Sequence, residues 1–460
     1  MTFSMELATR ANAIRKHEVP PEAIRIAKRA VLDTLGVALV GSRARFVPSI
    51  LATFPPATGK DACTTIGHPG KRGMLDAALV NGVSAHAVDF DDDSTTMGGH
   101  PSAPVVPGIL ALAEVEGSGG RTLLEAYVVG FETQTHLARA LMPVHYDKGW
   151  HPTSTIGTFG AAAACGFLLR LDDARLAAAF SIAASFAAGL KANFGTPVKP
   201  LQVGQAARNG LVAALLAKNG IDANGSAFEH PQGFFNLFNG ATGFDPEKAL
   251  GAWHENWEIL ASGISIKQHP CCGSAHSAID AAIKLRREFG SFPPDSIAGI
   301  EVTLHERRLA HVDRPFPKSG LDAKFSVQFL TAKALLAGAI TLDDFDDGGF
   351  MTHDTHRLMD VAGVRAHRLD DEYFAEVVVR MRDGTVRRAS ASTPFGRGRD
   401  NPMRDEELRS KFLDCAARAI APGQASELYE RLMRLEQAPD ITAIAARLAR
   451  APAVLPAASA

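Results

Sequence analysis

Two stretches of this chain, residues 159–169 and 177–190, are apolar on nearly every side and rich in small residues. A helix with no polar face must be enclosed by other helices. The many Ala and Gly residues of the first 265 positions let helices approach closely, so these segments demand a compact all-helical domain around them. Pro20 and Pro21 open one surrounding helix, whose Ile24, Ala27, Ala30, Val31, Leu35 and Ala38 keep an apolar stripe on one face. Further helical stretches cover about 74–88, 104–116, 121–142, 154–169, 173–189 and 201–218. No sequence repeat of 20–50 residues stands out.

The character of the chain changes near Ile266. Ile300-Glu301-Val302-Thr303-Leu304 alternates as a strand should. Phe374 to Met381, then Asp383-Gly384, then Thr385 to Ala391 reads as a hairpin closed by a type I′ turn. With helices near 275–288 and 325–338, this is a smaller α+β domain over 266–401. Helical periodicity returns from Pro402, near 404–419, 424–436 and 441–449; these helices either rejoin the first domain or form an appendage. The tail 451–460 is expected to be disordered.

At 460 residues the chain holds two or three domains, and 46% hydrophobic with 21% charged residues is ordinary globular composition. A net charge of −2 lacks the basic excess that nucleic-acid binding needs. No segment reaches the apolar length of a membrane span, and Met1 to Glu6 lacks the pattern of a secretion signal, so the cytoplasm is the expected location. Five cysteines, Cys63, Cys165, Cys271, Cys272 and Cys415, are too few and scattered for a disulfide framework. Adjacent Cys271 and Cys272 suit neither a metal clamp nor an iron–sulfur cluster, so no metal is expected.

The chemistry concentrates where a basic residue precedes proline: His100-Pro101, His151-Pro152 and Lys199-Pro200. Proline suits the first helical position, and the residue before it is driven into an extended conformation. Each such basic side chain should therefore project from a helix start, where exposed N–H groups favour anions. His68-Pro69 and His230-Pro231 carry the same dipeptide before turn residues, so the pair alone is weak.

Four constellations result. The run from His86 through Asp89, Asp91, Asp92 and Asp93 leads to His100 and could position an acid/base group or bind a hard cation; its bland reading is a solvated acidic loop. In Trp150-His151-Pro152-Thr153-Ser154 the hydroxyls can cap the next helix, leaving His151 for a proton or a carboxylate. Lys199 could neutralise a carboxylate, with Arg208 further along the same helix; either could instead be an ordinary surface or ion-pairing residue. The fourth runs from Lys267 through His269, Cys271, Cys272, Gly273 and Ser274 to His276 at the inferred domain junction, with Gly273 or Ser274 as a helix cap.

In this order and spacing the four segments resemble the MmgE/PrpD family, which includes 2-methylcitrate dehydratase, cis-aconitate decarboxylase and iminodisuccinate epimerase. The resemblance runs from Val31-Leu32-Asp33-Thr34-Leu35-Gly36 to Asn401-Pro402-Met403. It implies a mainly α fold: a large all-helical domain completed by the C-terminal helices 402–450, plus a smaller α+β lid domain, with the active site between them. It also implies a cofactor-independent enzyme, usually a homodimer. The family's active-site positions fall on Asp89, His100, His151, Lys199 and Lys267, the last entering mainly by resemblance. Asp93, Thr153, Arg208, Cys272 and His276 are candidate substrate contacts.

Three positions depart from the decarboxylase-like pattern: Asp93 stands where those members have Thr, Phe329 where they have Tyr, and Cys272 where they have His. Losing a phenol and an imidazole argues against cis-aconitate decarboxylation. The leading expectation is a hydro-lyase acting on a small di- or tricarboxylate, in which His100 and His151 exchange protons and Lys199 and Lys267 hold carboxylates. An epimerase is the alternative, and a non-catalytic carboxylate-binding protein a third reading.

Overall fold

The computed structural model describes residues 1–346, 349–394 and 396–450; the tail 451–460 lies outside them. The chain divides into two compact units, Met1–Ser265 together with the segment from Arg404 onward, and Ile266–Met403.

The first unit is a helical assembly. Its main helices are α1 (Phe3–Ala13), α2 (Pro21–Gly41), α3 (Met74–His86), α4 (Val106–Glu116), α5 (Gly120–Leu141), α6 (Gly157–Leu168), α7 (Asp173–Phe186) and α8 (Val198–Lys218). α6 is buried along almost its whole length, with α5 on one side and α8 on the other, as its lack of a polar face requires. A short hairpin, β1 (Ala62–Thr64) with β2 (Lys71–Gly73), precedes α3. α3 and α8 pack so closely that a Cβ on Gly82 would lie 2.8 Å from Gly204 Cα, and one on Gly204 2.4 Å from the Leu79 carbonyl. That approach brings the chain leaving α3 against the first turn of α8, where two of the candidate residues meet.

The second unit is built on a four-stranded sheet in the order β4-β3-β5-β6: β3 (Ile297–His305), β4 (Ala362–His367), β5 (Ala375–Met381) and β6 (Val386–Ala391). β3 runs parallel to β4 and antiparallel to β5, and β5 is antiparallel to β6. Helix α9 (His276–Phe289) packs on β5 and β6 and against α10 (Val327–Ala337). The core there includes Ile279, Val302, Phe329, Leu330 and Val377. The C-terminal segment supplies α11 (Asp405–Ala417), α12 (Pro422–Leu432) and α13 (Thr442–Arg447), with α11 packed on α2. The fold is mainly α with a smaller α+β part. No helix among the described residues is long and apolar enough to cross a membrane.

Several local expectations need correction. The hairpin turn is not type I′: Gly384 alone has a positive φ (+87°), and Asp383 accepts the Thr385 N–H through its carboxylate. Met381 N–H donates to the Thr385 carbonyl, so three residues bridge the strands with glycine in the left-handed place. His151 does occupy the extended cap position before Pro152. Pro101, however, lies in a turn, and α4 begins at Val106 with Pro107 second. Lys199 and Pro200 both lie inside the first turn of α8. The first four N–H groups of any helix lack intrahelical partners, so proline is tolerated beyond the first position.

Thr153 and Ser154 do not cap the turn Pro152–Thr155. The Thr153 hydroxyl accepts the His100 backbone N–H at 3.0 Å, and the Ser154 hydroxyl donates to the Ala188 carbonyl. Ser274 is likewise no cap; its hydroxyl is 3.1 Å from His311 Nδ1.

Candidate active site

The carboxylate run after α3 is buried, not a solvated loop: Asp89, Asp91 and Asp92 expose at most 3% of their surface. Asp89 sits in the left-handed region, φ +55°, uncommon for a residue with a side chain. Its Oδ1 lies 2.5 Å from Lys199 Nζ and 3.9 Å from His100 Nε2. Lys411 of α11 braces the loop from behind: its ammonium donates to the Phe90 carbonyl at 2.8 Å, pairs with Asp33 at 2.7 Å and lies over the Phe90 ring.

The neighbouring carboxylates are shifted in opposite directions. Asp91 Oδ2 is 2.7 Å from His86 Nδ1 and 3.2 Å from His100 Nδ1. Burial works against its charge, yet the two imidazoles hold it well below the usual carboxylate range. For Asp92 burial wins: with Asp33 and Asp91 nearby, its pKa is pushed well above the usual value despite hydrogen bonds from Ser102. Ser102 Oγ continues to Tyr127 Oη at 2.6 Å.

Hydrogen bonding sets the proton positions on the imidazoles. His100 Nδ1 is 2.8 Å from the Asp92 carbonyl, which can only accept, so the proton is on Nδ1. His151 Nδ1 lies 2.9 Å from Gln202 Oε1, and the Gln202 amide donates to the Leu190 carbonyl at 3.2 Å, which fixes the amide orientation. His151 Nδ1 therefore carries the proton and Nε2 presents a lone pair, with no hydrogen-bond partner among the described residues. Burial, then His86 and Lys199, hold the His151 pKa well below 6.5. The result is a neutral imidazole base beside a buried ammonium. The ring of Phe194 meets His151 edge-on at 4.9 Å.

His86, Asp89 and His100 bring possible donor atoms within 4.8 Å of one another. The Lys199 ammonium already lies against the Asp89 carboxylate, so a metal ion would have to displace it.

Models of the MmgE/PrpD N-terminal domain and C-terminal domain match residues 5–247 and 269–436. The chain belongs to the MmgE/PrpD family. It is 30% identical to a cis-aconitate decarboxylase of Mus musculus, over 94% of this chain and 90% of that protein. A cis-aconitate decarboxylase of Homo sapiens is 28% identical, covering 96% and 94%, and one of Aspergillus terreus 26%, covering 95% and 94%.

Of the positions that the family resemblance assigns, Asp89, His100, His151 and Lys199 come together in the first unit. Asp93 enters through its backbone, bonded in both directions to Ser265. Arg208 does not join them: nine residues beyond Lys199 on α8, it lies roughly 13 Å along the axis and on the opposite face. There it faces Asp76 of α3 at 3.9 Å.

In the second unit, Lys267 and His276 are buried, and Lys267 is one of the charges that lower the His276 pKa, after burial and His269. His276 Nε2 is 3.3 Å from the Cys271 carbonyl, and His269 Nε2 is 2.9 Å from Asp280. Cys272 is partly buried, and its N–H donates to the Lys324 carbonyl. Phe329 is fully buried in the core of that unit.

Sequence reasoning passed over His86, Asp91 and Gln202 as site residues. His86 and Asp91 lay within the quoted acidic run; Gln202, three residues after Lys199, carried no signal of its own.

The buried imidazoles make stability depend on pH. Burial pushes His86 and His145 down to about 4 from an unfolded value of 6.5. Unfolding therefore takes up protons that the fold refuses. Stability is full above pH 6.5 and falls as pH drops toward 4, by roughly 3 kcal/mol per imidazole at the low end. Urea unfolding at pH 8, 6 and 4.5 should show the midpoint falling at each step below 6.5. A midpoint constant from pH 7 to 5 would mean that these rings are charged in the fold.

Proposed function

We propose that this protein is a lyase of small di- or tricarboxylates, working by proton transfer at a carbon next to a carboxylate. The observation that carries this reading is one buried cluster containing the neutral base His151 and the Lys199–Asp89 ion pair. Lys199 holds a substrate carboxylate and stabilises the enolate-like charge that develops beside it. His151 Nε2 moves the proton, His100 is the second proton-transfer group, and Asp89 orients His100 and Lys199.

Decarboxylation of a cis-aconitate-like acid is the first reaction to test, because the full-length relatives carry that name. The bond to the departing CO₂ breaks, its electrons stay on carbon, and a proton drawn from solvent is relayed there through the imidazoles, one proton being consumed for each CO₂ released. Elimination of water is the second reading, kept because Phe329 and Cys272 leave this chain without a phenol and an imidazole of the decarboxylase-like pattern. In that case one imidazole takes the C–H proton while the other protonates the leaving hydroxyl.

Proton NMR in D₂O with cis-aconitate, citrate, 2-methylcitrate and iminodisuccinate separates these outcomes. A five-carbon unsaturated diacid with deuterium incorporated, formed from cis-aconitate, is the expected result. A new alkene from a hydroxy acid selects elimination instead. Deuterium entering an α-position with no alkene would make the protein an epimerase and overturn the lyase reading, as would no change in any of the four acids.

A further inference from the structure

His86 lies at the end of α3 with its side chain fully buried, one ring away from His100. The two rings meet edge-to-face at 4.6 Å, and both Nδ1 atoms address the same oxygen, Asp91 Oδ2. His86 Nε2 has no hydrogen-bond partner among the described residues. Keeping an unsatisfied imidazole nitrogen buried is costly, and a phenyl or leucyl side chain would fill the space without that cost. What the imidazole adds is the Nδ1–H donor to Asp91.

We propose that His86 is a positioning residue that acts through Asp91, holding the shared carboxylate so that it sets the protonation of His100. The inference rests on the lyase reading only for its consequence in turnover. The carboxylate is confined between two donors and shielded from water. Besides Asp91, His100 faces Asp89 and His86 from the α3 end, His151 from the turn Pro152–Thr155 and Lys199 from α8. Asp33 and Lys411 stand behind the carboxylate run.

Two substitutions should move His100 in opposite directions. In His86→Leu the deprotonated Asp91–His100 pair loses a stabilising donor, so the pair holds its proton to higher pH. In Asp91→Asn the charge that favours the His100 imidazolium disappears, so His100 gives up its proton at lower pH. Each shift should be about one pH unit. His86→Gln keeps an N–H donor and should restore the parent behaviour.

The readouts are the pH profile of kcat/KM and the ¹⁵N NMR titration of His100 in histidine-labelled protein. Opposite shifts in Leu and Asn variants, with recovery in Gln, are expected in the NMR titration whether or not the assayed acid turns over. Should His86→Leu fail to fold, Asp91→Asn against His86→Gln still gives the contrast. A His100 titration unchanged in the folded variants would overturn the proposal and leave His86 as packing. If the NMR shifts appear while none of the four acids reacts, the lyase reading fails and this inference stands.

Discussion

Replacing Lys199 by methionine is expected to lower kcat/KM for the true substrate by about a thousandfold. The ammonium is buried, lies 2.5 Å from Asp89 and is one of the charges that lower the His151 pKa. It is assigned the substrate carboxylate, so its loss removes both binding and stabilisation of the developing charge. The substitution also breaks a buried ion pair, which costs about 3–5 kcal/mol because the remaining charge loses its counter-ion. Stability and activity must therefore be measured together. The double variant Lys199→Met with Asp89→Asn removes both charges and should recover much of the stability but none of the activity. If that double variant regained turnover, Lys199 would have no part in the chemistry.

His151→Asn should separate the proton step from binding. With Lys199 untouched, KM is expected to change by less than about threefold while kcat falls by roughly 10²–10⁴, the usual worth of a positioned acid or base. Deuterium incorporation into the product in D₂O should fall in parallel. The neutral state of His151 persists well below pH 6.5, so the parent protein should keep this base competent in mildly acidic solution. Removing the Nδ1 partner with Gln202→Leu frees the ring to change tautomer and should cost activity through kcat as well. An unchanged kcat in His151→Asn would move the base elsewhere.

The helices were legible because their signals are local. The stripe beginning at Pro21 and the all-round apolar run of α6 each show in a window of a few turns, and each becomes a helix with the burial its pattern demands. α1 was passed over: its buried Phe3, Leu7, Ala8 and Ala11 keep helical spacing, but the segment is short and its mean hydropathy low. β4 was missed because Ala362–His367, Ala-Gly-Val-Arg-Ala-His, has no apolar alternation and buries no residue fully, as suits an exposed edge strand. The turn at Gly384 was misread in type because Asp-Gly serves two hairpin geometries, and strand register decides between them.

The candidate site divides along the same line. The sequence alone determined which groups are present and roughly which helix ends carry them: Asp89 after one helix, His151 before a proline turn, Lys199 at the start of another. Only the tertiary structure decided their states. Asp91 is held well below the usual carboxylate range and Asp92 pushed well above it though they are adjacent, because one faces two imidazoles while burial dominates at the other, with Asp33 and Asp91 adding to it. His151 presents an Nε2 lone pair with no hydrogen-bond partner among the described residues, because Gln202, fifty-one residues away, accepts the hydrogen bond from its Nδ1–H. Helix formation answers to spacing along the chain, whereas charge and tautomer answer to the few atoms that meet across it. Those meetings are fixed only once the helices have packed.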